Sequence, residues 1–270
     1  MTGQQAGGAE PRPTDARRRS VRSSKHPEKS HPSAFWPVAG TAIPLMSLFS
    51  RLTIVDGGKV PASGAFVLTP NHITEIDPVV VGWSLWRIGR APRFLAKESL
   101  FSVPVIGGVL RATGQVPVQR AGGGSGAAIP LDEAKRLVEK GQGLIVYPEG
   151  SLTRDPDTWP MRGKSGAVRI ALQNDIPVIP AAHWGAQRLM SRYGRSIRLF
   201  PRSKITIKFG DPVDLSEYRG RPLDGPTLTA ATERVMAAIT ALLEDLRGET
   251  APVERWDPKK KGQTEIGRFD

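Results

Sequence analysis

The stretch Ala65-Phe-Val-Leu-Thr-Pro-Asn-His-Ile-Thr-Glu-Ile-Asp-Pro78 decides how this chain folds. Its first four residues are apolar and follow the turn-rich run Asp56-Gly-Gly-Lys-Val-Pro-Ala-Ser-Gly64, so they read as a strand. Its last two, Asp77-Pro78, suit the cap and first position of a helix reaching Ile88. His72 falls between them, at the end of a rigid element where a substrate can reach its imidazole. An Asp five residues on can fold back through a tight turn and accept a hydrogen bond from one ring nitrogen. The other nitrogen is then free to act as a base. The same residues also read as an ordinary helix cap beside a structural histidine, and spacing alone leaves both open.

Outward from this unit, strand-like and helix-like segments alternate. Leu52 to Val55 and Ala65 to Leu68 are expected to pair as a hairpin across the turn-rich run. Strands are expected at Arg93–Ala96, Gly114–Arg120, Leu144–Tyr147, Pro177–Ala182 and Ile205–Phe209, with Pro117 marking an edge or irregular strand. Helices are expected at Leu131–Lys140, closed by Gly141, at Ser165–Gln173 and at about Pro226–Leu246. The alternation predicts a single α/β domain with a mostly central mixed sheet flanked by helices. The expected organisation is a basic tail over 1–33, an apolar segment over 34–49, the folded domain over 50–247 and a polar tail over 248–270.

Cysteine is absent from the 270 residues, which excludes disulfides, thiolate metal sites and a cysteine-bound intermediate. Of the four histidines, at 26, 31, 72 and 183, two lie in the tail, so no metal site is expected. Lys and Arg number 38 against 26 Asp and Glu, and the resulting +12 calls for an anionic partner. No zinc-finger spacing or RNA-recognition signature accompanies it, so nucleic acid is not the expected one. Residues 1–33 carry Arg17-Arg-Arg19 and no apolar core of a signal peptide. Ala34 to Phe49 is shorter than the roughly 20 residues that span a bilayer, and Pro37 and Pro44 interrupt it. It reads either as an interfacial helix beside a basic tail or as a helix covering the core.

A second stretch, Val146-Tyr-Pro-Glu-Gly-Ser-Leu-Thr-Arg154, ends a strand in Pro-Glu-Gly followed by hydroxyls. A carboxylate there could hold a hydroxyl, and a turn with a capping Ser or Thr is the plainer reading. Lys97 and Arg120 each stand just beyond a strand, where they suit a phosphate or are solvated surface charges. Gly163-Lys-Ser165 is not a P-loop, because Thr158 stands where that loop needs glycine.

Four blocks in order resemble the glycerolipid acyltransferase family, the 1-acylglycerol-3-phosphate acyltransferases. Asn71-His72 with Asp77 is similar to its NHxxxxD motif. Phe94-Leu-Ala-Lys97, leading to Pro117-Val-Gln-Arg120, is similar to its second block, Tyr147-Pro-Glu-Gly-Ser151 to its third and Ile176-Pro-Val-Ile-Pro180 to its fourth. The resemblance implies His72 as general base and Asp77 as its orienter. It implies Lys97 and Arg120 on the acceptor phosphate, and Glu149, Gly150 and Ser151 around the acceptor. It implies acyl-CoA or acyl carrier protein as co-substrate, with no further cofactor. Lysophosphatidic acid is the implied acceptor. Glycerol 3-phosphate, another lysophospholipid and a glycolipid hydroxyl stay open. The implied location is peripheral, on the cytoplasmic face of an anionic membrane. The rival reading is a non-enzymatic basic protein that binds nucleic acid or membrane through its tails.

Overall fold

The computed structural model describes residue 28 and residues 33–118, 131–194 and 196–264. Seven strands are present among them: β1 (Ser50–Val55), β2 (Phe66–Pro70), β3 (Leu95–Lys97), β4 (Val116–Val118), β5 (Gly143–Ile145), β6 (Val178–Trp184) and β7 (Ser203–Phe209). Five form one sheet in the order β1-β7-β6-β2-β5. β5, β2 and β6 run parallel, β7 is antiparallel to β6, and β1 is parallel to β7. β3 and β4 form a separate parallel pair, and a bridge from Phe94 to Ile145 joins it to the β5 edge. The mixed central sheet expected from the alternation of segments is therefore present.

The hairpin expected between β1 and β2 does not form, because β7 and β6 lie between them. The side chains explain the separation. Phe66-Val-Leu-Thr-Pro70 is buried at every position and belongs inside a sheet covered on both faces. In β1 buried Ser50 and Leu52 alternate with exposed Arg51 and Thr53, the pattern of an edge strand.

Helices cover both faces. Phe66, Leu68, Ile179, Ile205 and Ile207 pack against α1 (Phe35–Phe49) and α2 (Asp77–Ile88) through residues such as Met46, Val80 and Leu85. Val67, Leu144 and Val178 face the other way. They meet Ala134 and Leu137 of α4 (Leu131–Glu139), Val168 of α5 (Gly166–Asn174) and Val235 and Ile239 of α7 (Gly225–Arg247). Two shorter helices, α3 (Ile106–Ala112) and α6 (Ala186–Leu189), complete the set. Helix α2 begins one residue earlier than expected, with Ile76 at the cap and Asp77 as its first residue.

At the amino ends of β2 and β5, Arg90 is almost fully buried. It donates to the carbonyls of Pro61, Gly64 and Gly141 and to the Glu28 carboxylate at 2.6 Å. Arg93 binds the other oxygen of Glu28 at 2.6 Å. A buried guanidinium needs such a counter-charge, because desolvating it alone is costly.

Candidate active site

The carboxyl ends of β2, β5 and β6 lie at one edge of the sheet, the usual place for a site in an α/β fold. His72 follows β2, Glu149 follows β5, and His183 is in the last turn of backbone of β6. Asn71 ties the first and third of these together. Its side-chain amide donates to the His183 carbonyl at 3.1 Å, and its Oδ1 accepts the His183 N–H at 2.8 Å.

His72 and Asp77 meet as their spacing suggests, with Nδ1 3.0 Å from Oδ2. Asp77 Oδ2 also accepts the backbone N–H groups of Ile73 at 2.6 Å and Thr74 at 2.9 Å, and Oδ1 accepts the Thr74 hydroxyl at 2.7 Å. The carboxylate thus closes the loop in front of α2 and orients the imidazole at once. Burial pushes the Asp77 carboxyl up, but His183 and His72 beside it outweigh burial and hold it well below the usual carboxylate range. The His72 side chain keeps 16% of its surface exposed, while Asp77 and His183 have none, so His72 alone of the three can meet a substrate. Its ring stacks on Tyr147, with centroids 4.0 Å apart.

Glu149 was grouped with the acceptor-binding residues by its motif, yet its side chain is fully buried. Oε1 accepts the His72 N–H at 2.9 Å and Oε2 the Met161 N–H at 3.0 Å. The carboxyl therefore ties the His72 loop to the 159–161 segment and faces away from solvent. Burial pushes it up to about 8, against the pull of those two backbone N–H groups, and the negative charge of Asp77 adds to the rise. Thr153 also pulls the carboxyl down, and burial outweighs it as well, while the Thr153 hydroxyl donates to the Trp159 carbonyl at 2.6 Å. Two buried carboxyls thus bracket His72, Glu149 at its backbone N–H and Asp77 at its ring.

Because folded Glu149 binds its proton more tightly than the unfolded chain does, this group's contribution to stability is full below the ordinary carboxyl range near 4.5. It is lost as pH rises through about 8. Glu149→Gln removes that titration and turns an amide N–H₂ toward one of the two backbone donors, at a cost of about 1–3 kcal/mol. Thermal melts from pH 5 to 9 are expected to show a lower Tm for the variant at pH 5 and a shallower decline above it. Parallel melting curves for the two proteins would contradict this account of the carboxyl.

Gly150 has φ +72°, a backbone conformation that favours glycine. Ser151 is half-buried beside it, and Lys97 is exposed at the carboxyl end of β3, on the same edge of the fold. Arg120 lies outside the described residues. No group of three or more potential metal ligands occurs among the described residues.

A family model described as Acyltransferase matches residues 51–184, the segment that holds all of these groups from β1 to β6. The chain is 27% identical over 202 residues to the 1-acyl-sn-glycerol-3-phosphate acyltransferase of Bacillus subtilis (strain 168), covering 73% of this chain and 91% of that protein. The chain belongs to the acyltransferase family. A chloroplastic 1-acyl-sn-glycerol-3-phosphate acyltransferase of Brassica napus is 31% identical over 124 residues, 46% of this acyltransferase and 34% of the plant protein. The fold is also that of a solved structure, the 1-acyl-sn-glycerophosphate (LPA) acyltransferase from Thermotoga maritima, with a TM-score of 0.55 at 23% identity over 80% of each chain.

Sequence reading missed three groups of this acyltransferase. Thr74 supplies two of the bonds to Asp77, and Tyr147 is the platform for His72. His183 enters the sequence reading only as one of four histidines too scattered for a metal site, and the expected strand ends one residue short of it, at Ala182. The parallel pairing of β6 with β2 is what brings it to Asp77.

Proposed function

We propose that this acyltransferase moves a fatty acyl group from an acyl-CoA or acyl carrier protein thioester to the free hydroxyl of lysophosphatidic acid, giving phosphatidic acid. The reading is carried by the 3.0 Å contact between His72 and Asp77 at the substrate-facing edge of the sheet. The names of its relatives supply the acceptor. Asp77 accepts from Nδ1–H and leaves Nε2 free. Nε2 takes the proton of the acceptor hydroxyl as the oxygen attacks the thioester carbonyl carbon, and Asp77 stabilises the imidazolium. The tetrahedral intermediate then collapses, the C–S bond breaks, and the sulfur takes the proton from His72. The products are phosphatidic acid and a free thiol. No acyl-enzyme and no cofactor enter this scheme, which suits a chain without cysteine. Lys97 and Arg120 are assigned to the acceptor phosphate and Gly150 and Ser151 to the acceptor wall, while Glu149 positions the His72 loop.

The same reading places the enzyme peripherally on an anionic membrane, at its cytoplasmic face. Trp36, Leu45 and Leu48 of α1 are half or more exposed, and Arg202, which donates to the carbonyls of Ser47 and Ser50, brings exposed Phe200 toward the end of that helix. No helix among the described residues is long and apolar enough to cross a membrane. One assay tests both parts: thiol release from an acyl-CoA, with and without lysophosphatidic acid, in anionic or neutral vesicles at low and high salt. Release is expected to require the acceptor, to be faster on anionic vesicles and to lose that advantage in salt. Release that ignores the acceptor overturns the reaction. Rates that ignore vesicle charge and salt overturn the membrane assignment.

A further inference from the structure

Asp77 has imidazoles on two sides. His72 Nδ1 is 3.0 Å from Oδ2, and His183 Nε2 approaches the same oxygen to 3.4 Å from the end of β6. His183 is entirely buried, and neither of its ring nitrogens makes a hydrogen bond. A buried imidazole with unpaired nitrogens destabilises a fold, so its presence calls for a reason. Its placement is not loose. Asn71, the residue preceding His72, grips the His183 backbone through both its N–H and its carbonyl. The element that carries the base therefore also fixes the second histidine against the carboxylate that orients the base.

We infer that His183 is a positioning residue for acyl transfer, acting through Asp77 by presenting Nε2–H to Oδ2. The inference rests on the reading of His72 as general base. Oδ2 already receives two backbone N–H groups and His72 Nδ1. A further donor from β6 keeps this buried oxygen ionised and in place while His72 changes charge. The 3.4 Å approach leaves room for a shift of a few tenths of an ångström into a hydrogen bond as the imidazolium forms. His183 cannot touch substrate, since its side chain has no exposed surface, so the effect falls on the chemical step and leaves binding alone.

The test compares His183→Leu, which fills the space without a donor, with His183→Gln, which restores an N–H at similar reach. His183→Leu is expected to lower kcat about 10-fold, the low end for loss of a charge-assisted contact, with KM unchanged. His183→Gln is expected to recover most of that loss. A folded His183→Leu variant with parental kcat overturns the inference, and so does a His183→Gln variant as impaired as His183→Leu. Ring-nitrogen NMR of the parent protein tests the contact without any variant or turnover. The Nε2–H tautomer at His183, with a resonance that moves in Asp77→Asn, is expected, and the Nδ1–H tautomer overturns it. A parent protein that shows this tautomer but no acceptor-dependent thiol release would instead refute the proposed reaction.

Discussion

Replacing His72 with alanine is expected to lower kcat by at least about 10²-fold, within the 10²–10⁴ that loss of a general base costs. The variant should remain folded, because the anchors of this loop are backbone groups that the substitution leaves alone. The His72 N–H still reaches Glu149, and its carbonyl still accepts the Thr153 N–H at 2.7 Å. Asp77 keeps Ile73, Thr74 and the Thr74 hydroxyl as donors. What disappears is the one member of the cluster with solvent access and a free basic nitrogen. Steady-state kinetics with a thermal melt of the same sample checks this. A folded His72→Ala variant with near-native turnover removes His72 from the mechanism.

The parts of this molecule that sequence revealed are those set by near neighbours. His72 and Asp77 share one loop, and the Asp-Pro step that opens α2 fixes their separation, so five residues of spacing predicted the contact. The Pro-Glu-Gly turn was equally visible, because Gly150 needs its positive φ whatever surrounds it. The misreadings all concern long-range pairing. A turn-rich segment between two apolar runs suggests a hairpin, yet β1 pairs with β7, about 150 residues away, and β2 takes the centre. Glu149 is expected around the acceptor through the resemblance of its Pro-Glu-Gly motif, which carries no sign of its burial. Only the fold shows that Met161 and His72 cap both of its oxygens. His183 had no local signal at all. It is 106 residues beyond Asp77, and what joins them is the parallel register of β2 on β6 with the Asn71 clamp.

Asp77→Asn should separate the two duties of that carboxylate, and its geometry sets the size of the loss. In a triad where an asparagine is free to turn, its amide presents a donor to the ring, and the wrong tautomer costs about 10⁴ in kcat. Here the turn is blocked. The Oδ2 position faces the backbone N–H groups of Ile73 and Thr74 at 2.6 and 2.9 Å, so the carboxamide oxygen must occupy it. The N–H₂ then falls at Oδ1, opposite the Thr74 hydroxyl, which can accept as readily as it donates. The oxygen still receives Nδ1–H, and His72 keeps its tautomer. Only the charge that stabilises the imidazolium is lost. Removing one partner of a buried charge pair costs about 2–5 kcal/mol, or roughly 30- to 5,000-fold at 1.36 kcal/mol per decade. The variant should melt as a cooperative unit, whereas Asp77→Ala, which orphans both buried backbone donors, should melt at a clearly lower temperature. Since His72 and Asp77 act as one unit, the double variant His72→Ala/Asp77→Asn is expected to be no slower than His72→Ala alone. Unchanged kcat in Asp77→Asn would reduce Asp77 to a helix-start clamp. Losses that multiply in the double variant would mean that Asp77 reaches the reaction by some route other than the His72 ring.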